Sequence, residues 1–115
     1  MPRGYWIVRL DVHDVEAFRA YRAANGPPIA AFGGRFLVRN GTSEAVLGTA
    51  RGTNVVVEFP SYADALACWH SEAYQEVRAL WRGGVEADFL VIEGYEGAQP
   101  GEHPAAEPEA HGLTA

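Results

Sequence analysis

The chain has 115 residues, 48% of them apolar, with 15 acidic and 9 basic side chains and a formal net charge of −6. That length fits one domain with a modest core, for which pairing with a second copy is a natural supplement. Three acids, Glu102, Glu107 and Glu109, fall near the C-terminus, and the mildly acidic body argues against nucleic acid as the main partner, a role that needs a basic face.

All nine strong bases are arginine. The single cysteine, Cys68, allows no internal disulfide, and nothing points to secretion. The opening "MPRGYWIVRL" lacks a signal-peptide core, and no apolar run approaches the ~18 residues of a membrane span. A cytoplasmic protein with no membrane partner is the expectation, and Asn40-Gly41-Thr42 reads as a turn rather than a glycosylation site.

Tyr5–Val12 is rich in β-branched and aromatic residues and predicts a strand. Asp14 is placed to cap a helix carrying Val15, Phe18 and Tyr21 or Arg22 at helical spacing. Asn25-Gly26-Pro27-Pro28 interrupts it, and Pro28–Phe32 restarts as a short helix that Gly33-Gly34 ends. Arg35–Arg39, bracketed by Gly-Gly and Asn-Gly, is too short for a stable helix and predicts a strand running into a hairpin turn. Glu44–Leu47 is expected as a short returning strand, and Asn54–Phe59 as a further strand stopped by Pro60. Ser61 with Asp64 starts the next helix, bearing Ala65, Leu66 and Trp69. Ser71 starts another piece bearing Tyr74, Val77, Leu80 and Trp81. Gly83-Gly84 closes it, and Asp88–Tyr95 is the last strand. From Gly97 the Pro, Gly, Glu and Ala composition predicts a disordered tail, so the domain is expected over residues 1–96. The order predicts an α+β fold: a ferredoxin-like, split βαβ arrangement with two helices on one face of an antiparallel sheet.

Strand alternation divides the side chains in two. Trp6, Val8, Leu10, Phe36, Val38, Val55, Val57, Phe59, Leu90 and Ile92 contain no polar residue and are expected beneath the helices. Tyr5, Ile7, Arg9, Asp11, Arg35, Leu37, Arg39, Asn54, Val56, Glu58, Phe89, Val91 and Glu93 mix apolar residues with both signs of charge. Such a face fits a homodimer packed through the sheet. Unpaired charges would not be buried inside one chain, and a wet face would be more uniformly polar.

Among residues able to carry chemistry, Arg39 and Glu58 are expected on neighbouring strands of that mixed face. They read either as an interface ion pair or as an oxyanion binder with an acid/base partner. Arg9 and Glu93 form a second such pair, with Arg9 a candidate ligand contact. His70, between two helical pieces, is a helix-end histidine or a proton shuttle. The sequence has no phosphate loop, dinucleotide fingerprint or metal-ligand spacing, so neither a cofactor nor a metal is called for.

The segments "GYWIVRLDVHD", "FRAYRAANGPPIAAFGGRFLVRNG", "VVVEFPSYADALACWHSEAYQEVRAL" and "DFLVIEG" resemble the bacterial family known as domain of unknown function 1330, over about Gly4 to Gly94. This sequence departs from that family where a tyrosine and a Ser/Asn-Pro pair commonly follow the tryptophan; here His70-Ser71-Glu72-Ala73-Tyr74 stands. The resemblance implies a dimeric α+β barrel. It also implies a pocket between sheet and helices, for which Tyr21, Trp69 and Tyr74 are the candidate walls with His70 at the edge. The functional expectation is a binding protein for a small organic molecule. The alternatives are a cofactor-independent isomerase, cyclase or monooxygenase on a small organic acid or aromatic or polyketide substrate, and a structural interaction module.

Overall fold

Residues 1–102 are described by the structure, a computed structural model. Its elements follow in the order β1 (Gly4–Val12), α1 (Val15–Ala24), α2 (Gly26–Ala31), β2 (Arg35–Arg39), β3 (Thr53–Phe59), α3 (Tyr62–His70), α4 (Glu72–Arg78) and β4 (Val85–Glu93), with a 3-10 turn over Ala79–Trp81. The predicted tail lies, from residue 103 onward, outside the described residues.

The helix starts follow from local chemistry. Asp14 Oδ1 accepts from the Ala17 N–H at 3.1 Å, and Ser61 Oγ accepts from the Asp64 N–H at 3.0 Å. Ser71 Oγ accepts from the Tyr74 N–H at 3.1 Å and donates to the Cys68 carbonyl at 2.7 Å, joining α3 to α4 through one side chain. Each satisfies a backbone donor that a helix N-terminus leaves open. The His13 and Asp14 N–H groups both donate to the Gly84 carbonyl, at 2.8 and 3.0 Å. That corner needs glycine, because a Cβ on Gly84 would sit 2.5 Å from the Asp14 Cβ.

The four strands form one antiparallel sheet in the order β2-β3-β1-β4, the split βαβ topology expected. The helix side buries Trp6, Val8 and Leu10 of β1 and Val57 and Phe59 of β3 against Tyr21, Ile29, Ala65, Cys68, Tyr74 and Trp81. Trp6 is the hub. Its ring centroid lies 4.9 Å from that of Phe59, 4.8 Å from Tyr74 and 5.4 Å from Phe89. Its indole N–H donates to the Ala65 carbonyl at 2.9 Å, so the buried donor is satisfied.

Three expectations are corrected. In β4, Val91 pairs opposite Trp6 and Phe89 opposite Val8, so Phe89 and Val91 lie under the helices. Leu90 and Ile92 face the other way, 54% and 46% exposed. The run Phe89–Ile92 is apolar at every position, so its alternation carries no phase; pairing with β1 sets it. In β2, Phe36 pairs with Val57 but Val38 with Val56, leaving Leu37 as the extra residue of a bulge. Beyond the bulge the faces exchange: Val38 joins the outer face, and Arg39, opposite Val55, joins the helix side. Finally, Glu44–Leu47 is not a strand; Val46 and Leu47 stand exposed in the long β2–β3 connection. Asn40 turns with a positive φ of 54°, and its N–H donates to the Asn54 carbonyl at 2.8 Å, so β2 pairs directly with β3 and needs no intervening strand.

Trp6→Ala removes the ring that joins α3 and α4 to the sheet. It should destabilise the chain by about 3–5 kcal/mol, read as a lower urea midpoint at unchanged m-value. A loss under about 1 kcal/mol would contradict the central role given to this ring.

Candidate active or binding cavity

Between the helix side of the sheet and helices α1 and α2 lies a cavity of about 40 Å³. That is room for roughly two or three waters, or for a short chain of carbons. Its floor is apolar, with Val8, Leu10, Phe36, Val55 and Phe89 contributing from all four strands. The polar groups come from two directions: Tyr21, Arg22 and Asn25 from α1 and its end, and Arg39, Asn40 and Thr53 from the β2–β3 edge.

The Arg39 guanidinium carbon sits 4.2 Å from the Phe36 ring centroid. At that distance the cation is attracted to the face of the ring. Arg22 lies in the last turn of α1, where a cation suits the helix dipole. Among the described residues, neither arginine has a carboxylate within 4.0 Å, whereas Arg3, Arg19, Arg35 and Arg51 do.

Asn25 is the least expected member. It caps the start of α2 by position, yet its side chain makes no capping bond. It is 5% exposed, and its amide oxygen has no hydrogen-bond partner among the described residues. An orphaned buried acceptor costs free energy that a matching donor would recover. Beside it, the Tyr21 and Tyr74 hydroxyls share a hydrogen bond of 2.6 Å. Burial pushes both phenols above their ordinary range; hydrogen bonds from Tyr74 and Asn25 offset part of that at Tyr21. Both phenols are therefore neutral at pH 7 and serve as hydrogen-bonding groups, not as bases.

The opposite face of the sheet is organised differently. The Glu58 carboxylate accepts from Arg35 Nε at 2.9 Å and from the Tyr5 hydroxyl at 3.1 Å, with Arg3 Nε 3.9 Å away. Arg35, then the Tyr5 hydroxyl, hold its carboxyl below the usual value against the opposing effect of burial. Arg51 donates to Asp88 at 2.8 Å and Asp11 at 2.6 Å, with Glu86 at 3.4 Å, pinning the end of the long connection across β1 and β4. Between these polar groups runs an apolar row. Val38 pairs with Val56, Val56 with Ile7 and Ile7 with Leu90, so the row crosses all four strands.

The sequence-derived candidates thus separate. Arg39 and Tyr21 line the cavity. Tyr74 is fully buried behind Tyr21 and reaches the site only through that hydroxyl. Trp69 packs against Phe89, with ring centroids 4.7 Å apart, and under Arg78, away from the cavity lining. His70 is exposed at the end of α3 and also lies outside that lining. Glu58 and Arg9 are on the far face; Arg9 donates to the Thr49 carbonyl at 3.5 Å. The expected Arg39–Glu58 pair does not form. Arg35 takes Glu58 instead, because the bulge at Leu37 carries Arg39 to the other side. Cys68 is buried with its thiol pushed up to about 12, so it is inert packing. Asn25 went unrecognised because Asn-Gly-Pro-Pro reads as a helix break. Its spacing from Phe18, Tyr21 and Arg22 on one helix face was the available signal.

A ferredoxin-like α+β fold with a cavity between sheet and helices is the class these observations define. The chain belongs to the family described as Domain of unknown function (DUF1330), which matches residues 3–95. The crystal structure of RPA0582, a protein of unknown function from Rhodopseudomonas palustris, is similar with a TM-score of 0.68 at 15% identity, covering 83% of this chain and 84% of that one. Also similar is SnoaB, a cofactor-independent oxygenase from Streptomyces nogalater, with a TM-score of 0.58 at 12% identity, covering 89% of this chain and 100% of that one. At such identities the likeness shows the fold. A sequence comparison with curated proteins found no match. Among the described residues, no helix is long and apolar enough to cross a membrane, and no group of three or more His, Cys, Asp or Glu is placed to hold a metal ion.

Because the folded Glu58 carboxyl titrates below its ordinary value of 4.5, its contribution to stability is full above that value and is lost as pH falls through the lower folded one. Arg35→Gln should therefore narrow the difference in Tm between pH 7 and pH 4. Thermal melts of both proteins across that range provide the check, and an unchanged difference would remove Arg35 as the cause.

Proposed function

We propose that this chain is a homodimeric binding protein for a small organic molecule, and that the cavity under α1 and α2 is its site. One observation carries the reading: a buried amide oxygen and two arginines, all without a hydrogen-bond or carboxylate partner among the described residues, border the same apolar-floored cavity. Convergent polar groups around an apolar pocket are what orient a small ligand. Among the described residues, the lining contributes no carboxylate, imidazole or thiol. Binding needs none of these, and they are the commonest general bases.

The dimer is argued from the other face. An apolar row over four strands, flanked by Arg35, Glu58, Arg9 and Asp88, suits a two-fold partner that covers the row and pairs the flanking charges. A second reading, a cofactor-independent enzyme, draws on the Tyr21–Tyr74 pair at the cavity edge, a neutral proton donor beside Arg39, which would receive an enolate or carboxylate oxygen. The likeness to SnoaB, a cofactor-independent oxygenase, is compatible with that reading.

The assembly is tested by sedimentation at micromolar concentration. The wild type should run at twice the chain mass and Leu90→Glu at the single-chain mass with native circular dichroism. A wild type that runs as a single chain removes the homodimer.

The cavity is tested by methyl NMR of the full chain, titrated in turn with 1-butanol, 2-butanone and butyrate. At least one should shift the methyls of Leu10, Ile29 and Val55 while leaving those of Leu90 and Val38 in place. If none moves the cavity methyls, the site assignment is lost.

A further inference from the structure

The cavity's polar groups have a sign and an arrangement that narrow its ligand. We propose that it takes a short-chain carboxylic acid bearing a second hydrogen-bond donor, a hydroxyl or an N–H, on its carbon chain. The carboxylate meets Arg39 and Arg22, and the donor meets the Asn25 amide oxygen. This rests on the cavity being the binding site.

The charge argument comes first. The chain is acidic overall, yet the charged residues bordering this cavity are both arginines. Their cationic ends are not neutralised by any described carboxylate within 4.0 Å. The Arg39 guanidinium carbon lies over the Phe36 ring, and a guanidinium is suited to a two-point bond to an oxyanion. The bulge at Leu37 is what brings that group here; regular alternation from Phe36 would send it to the outer face. A cationic or uncharged ligand would leave both guanidinium groups unmatched.

The second argument is the acceptor. The Asn25 oxygen is buried and unpaired. A plain fatty acid would cover it with methylenes and leave it so, at a cost that a ligand hydroxyl or N–H removes. The third is the floor. Val8, Leu10, Val55 and Phe89 give an apolar surface in about 40 Å³, which suits a few carbons joined to the carboxylate and has nothing to offer the remaining oxygens of a phosphate.

The test uses the methyl- and amide-labelled full chain, titrated with butyrate, butyramide, inorganic phosphate, and 2-, 3- and 4-hydroxybutyrate. Butyrate should bind at least tenfold more tightly than butyramide, and one hydroxybutyrate at least tenfold more tightly than butyrate, each shifting the Leu10 and Val55 methyls. Arg39→Gln should erase the preference for acid over amide. Asn25→Leu should erase the preference for the hydroxy acid while butyrate still binds. Added sodium chloride should weaken the acids and leave the amide unaffected, which checks the charge assignment in the wild type alone. Butyramide binding as well as butyrate at the same methyls overturns the carboxylate assignment while the cavity remains a site. Phosphate binding as tightly as the best hydroxy acid overturns it too. Equal affinities for butyrate and all three hydroxybutyrates overturn the role of Asn25. If no probe reaches the cavity methyls, the site reading itself falls.

Discussion

The antiparallel register of β1 with its two neighbours governs everything else in this chain. β1 is central on the paired side of both β3 and β4, so Trp6, Val57 and Val91 are placed in one row, and Val8, Val55 and Phe89 in the next. A slip of one residue would turn each of these to the opposite face. The slip is opposed by the rings packed around Trp6 and by its hydrogen bond to Ala65, which a reversed face would leave unmade. Register is therefore fixed by packing at one end of the sheet. The arginine contacts of Glu58 and the three-acid grip of Arg51 then mark the two polar borders of the outer face.

Those polar borders differ in kind. At one, a buried carboxylate is satisfied by a phenol and an arginine, which makes it a fixed negative charge rather than a proton carrier. At the other, one guanidinium holds three acids whose mutual repulsion it relieves. Both arrangements consume charge locally. The cavity side is the contrast: its arginines stay uncompensated, and its tyrosines are kept neutral by burial. The ion pairs of the outer face thus hold the architecture, while the two arginines that border the cavity take part in none of those among the described residues.

The fold was largely legible because its signals are local. Asp14, Ser61 and Ser71 announce helix starts through side-chain chemistry that works within three residues. The alternation of Trp6, Val8 and Leu10 against Tyr5, Ile7 and Arg9 phases β1 because polar residues mark one side. The same reading fails in β4, where Phe89–Ile92 offers no polar marker, and in β2, where one extra residue breaks the period without a glycine to announce it. It fails at Glu44–Leu47 because an alternating run makes a strand only when it pairs, and the chain that returns to β2 is β3 instead. The site was less legible for a related reason. Arg39 was recognised as a group of interest but with the wrong neighbour, since its side of the sheet depends on the bulge. Asn25 was hidden because an asparagine before Gly-Pro-Pro has an adequate explanation as a turn residue. Its burial and its orphaned oxygen exist only once α1 has closed over the sheet.

The bulge links the two faces in a way that neither shows alone. By inserting Leu37, β2 sets Leu37 and Val38 together against Val56, widening the exposed apolar row on the outer side. The same insertion rotates the next residue inward, so Arg39 reaches Phe36 and the cavity mouth. A regular β2 would place Leu37 and Arg39 on the outer face and Val38 beneath the helices. The outer row would then gain a charge, and the cavity would lose the cation seated on Phe36. One extra residue on an edge strand thus does both: it makes the outer face more apolar and the cavity mouth more positive. The apolar row on one face and the cation on the other are consequences of the same irregularity, and they cannot be changed independently at that strand.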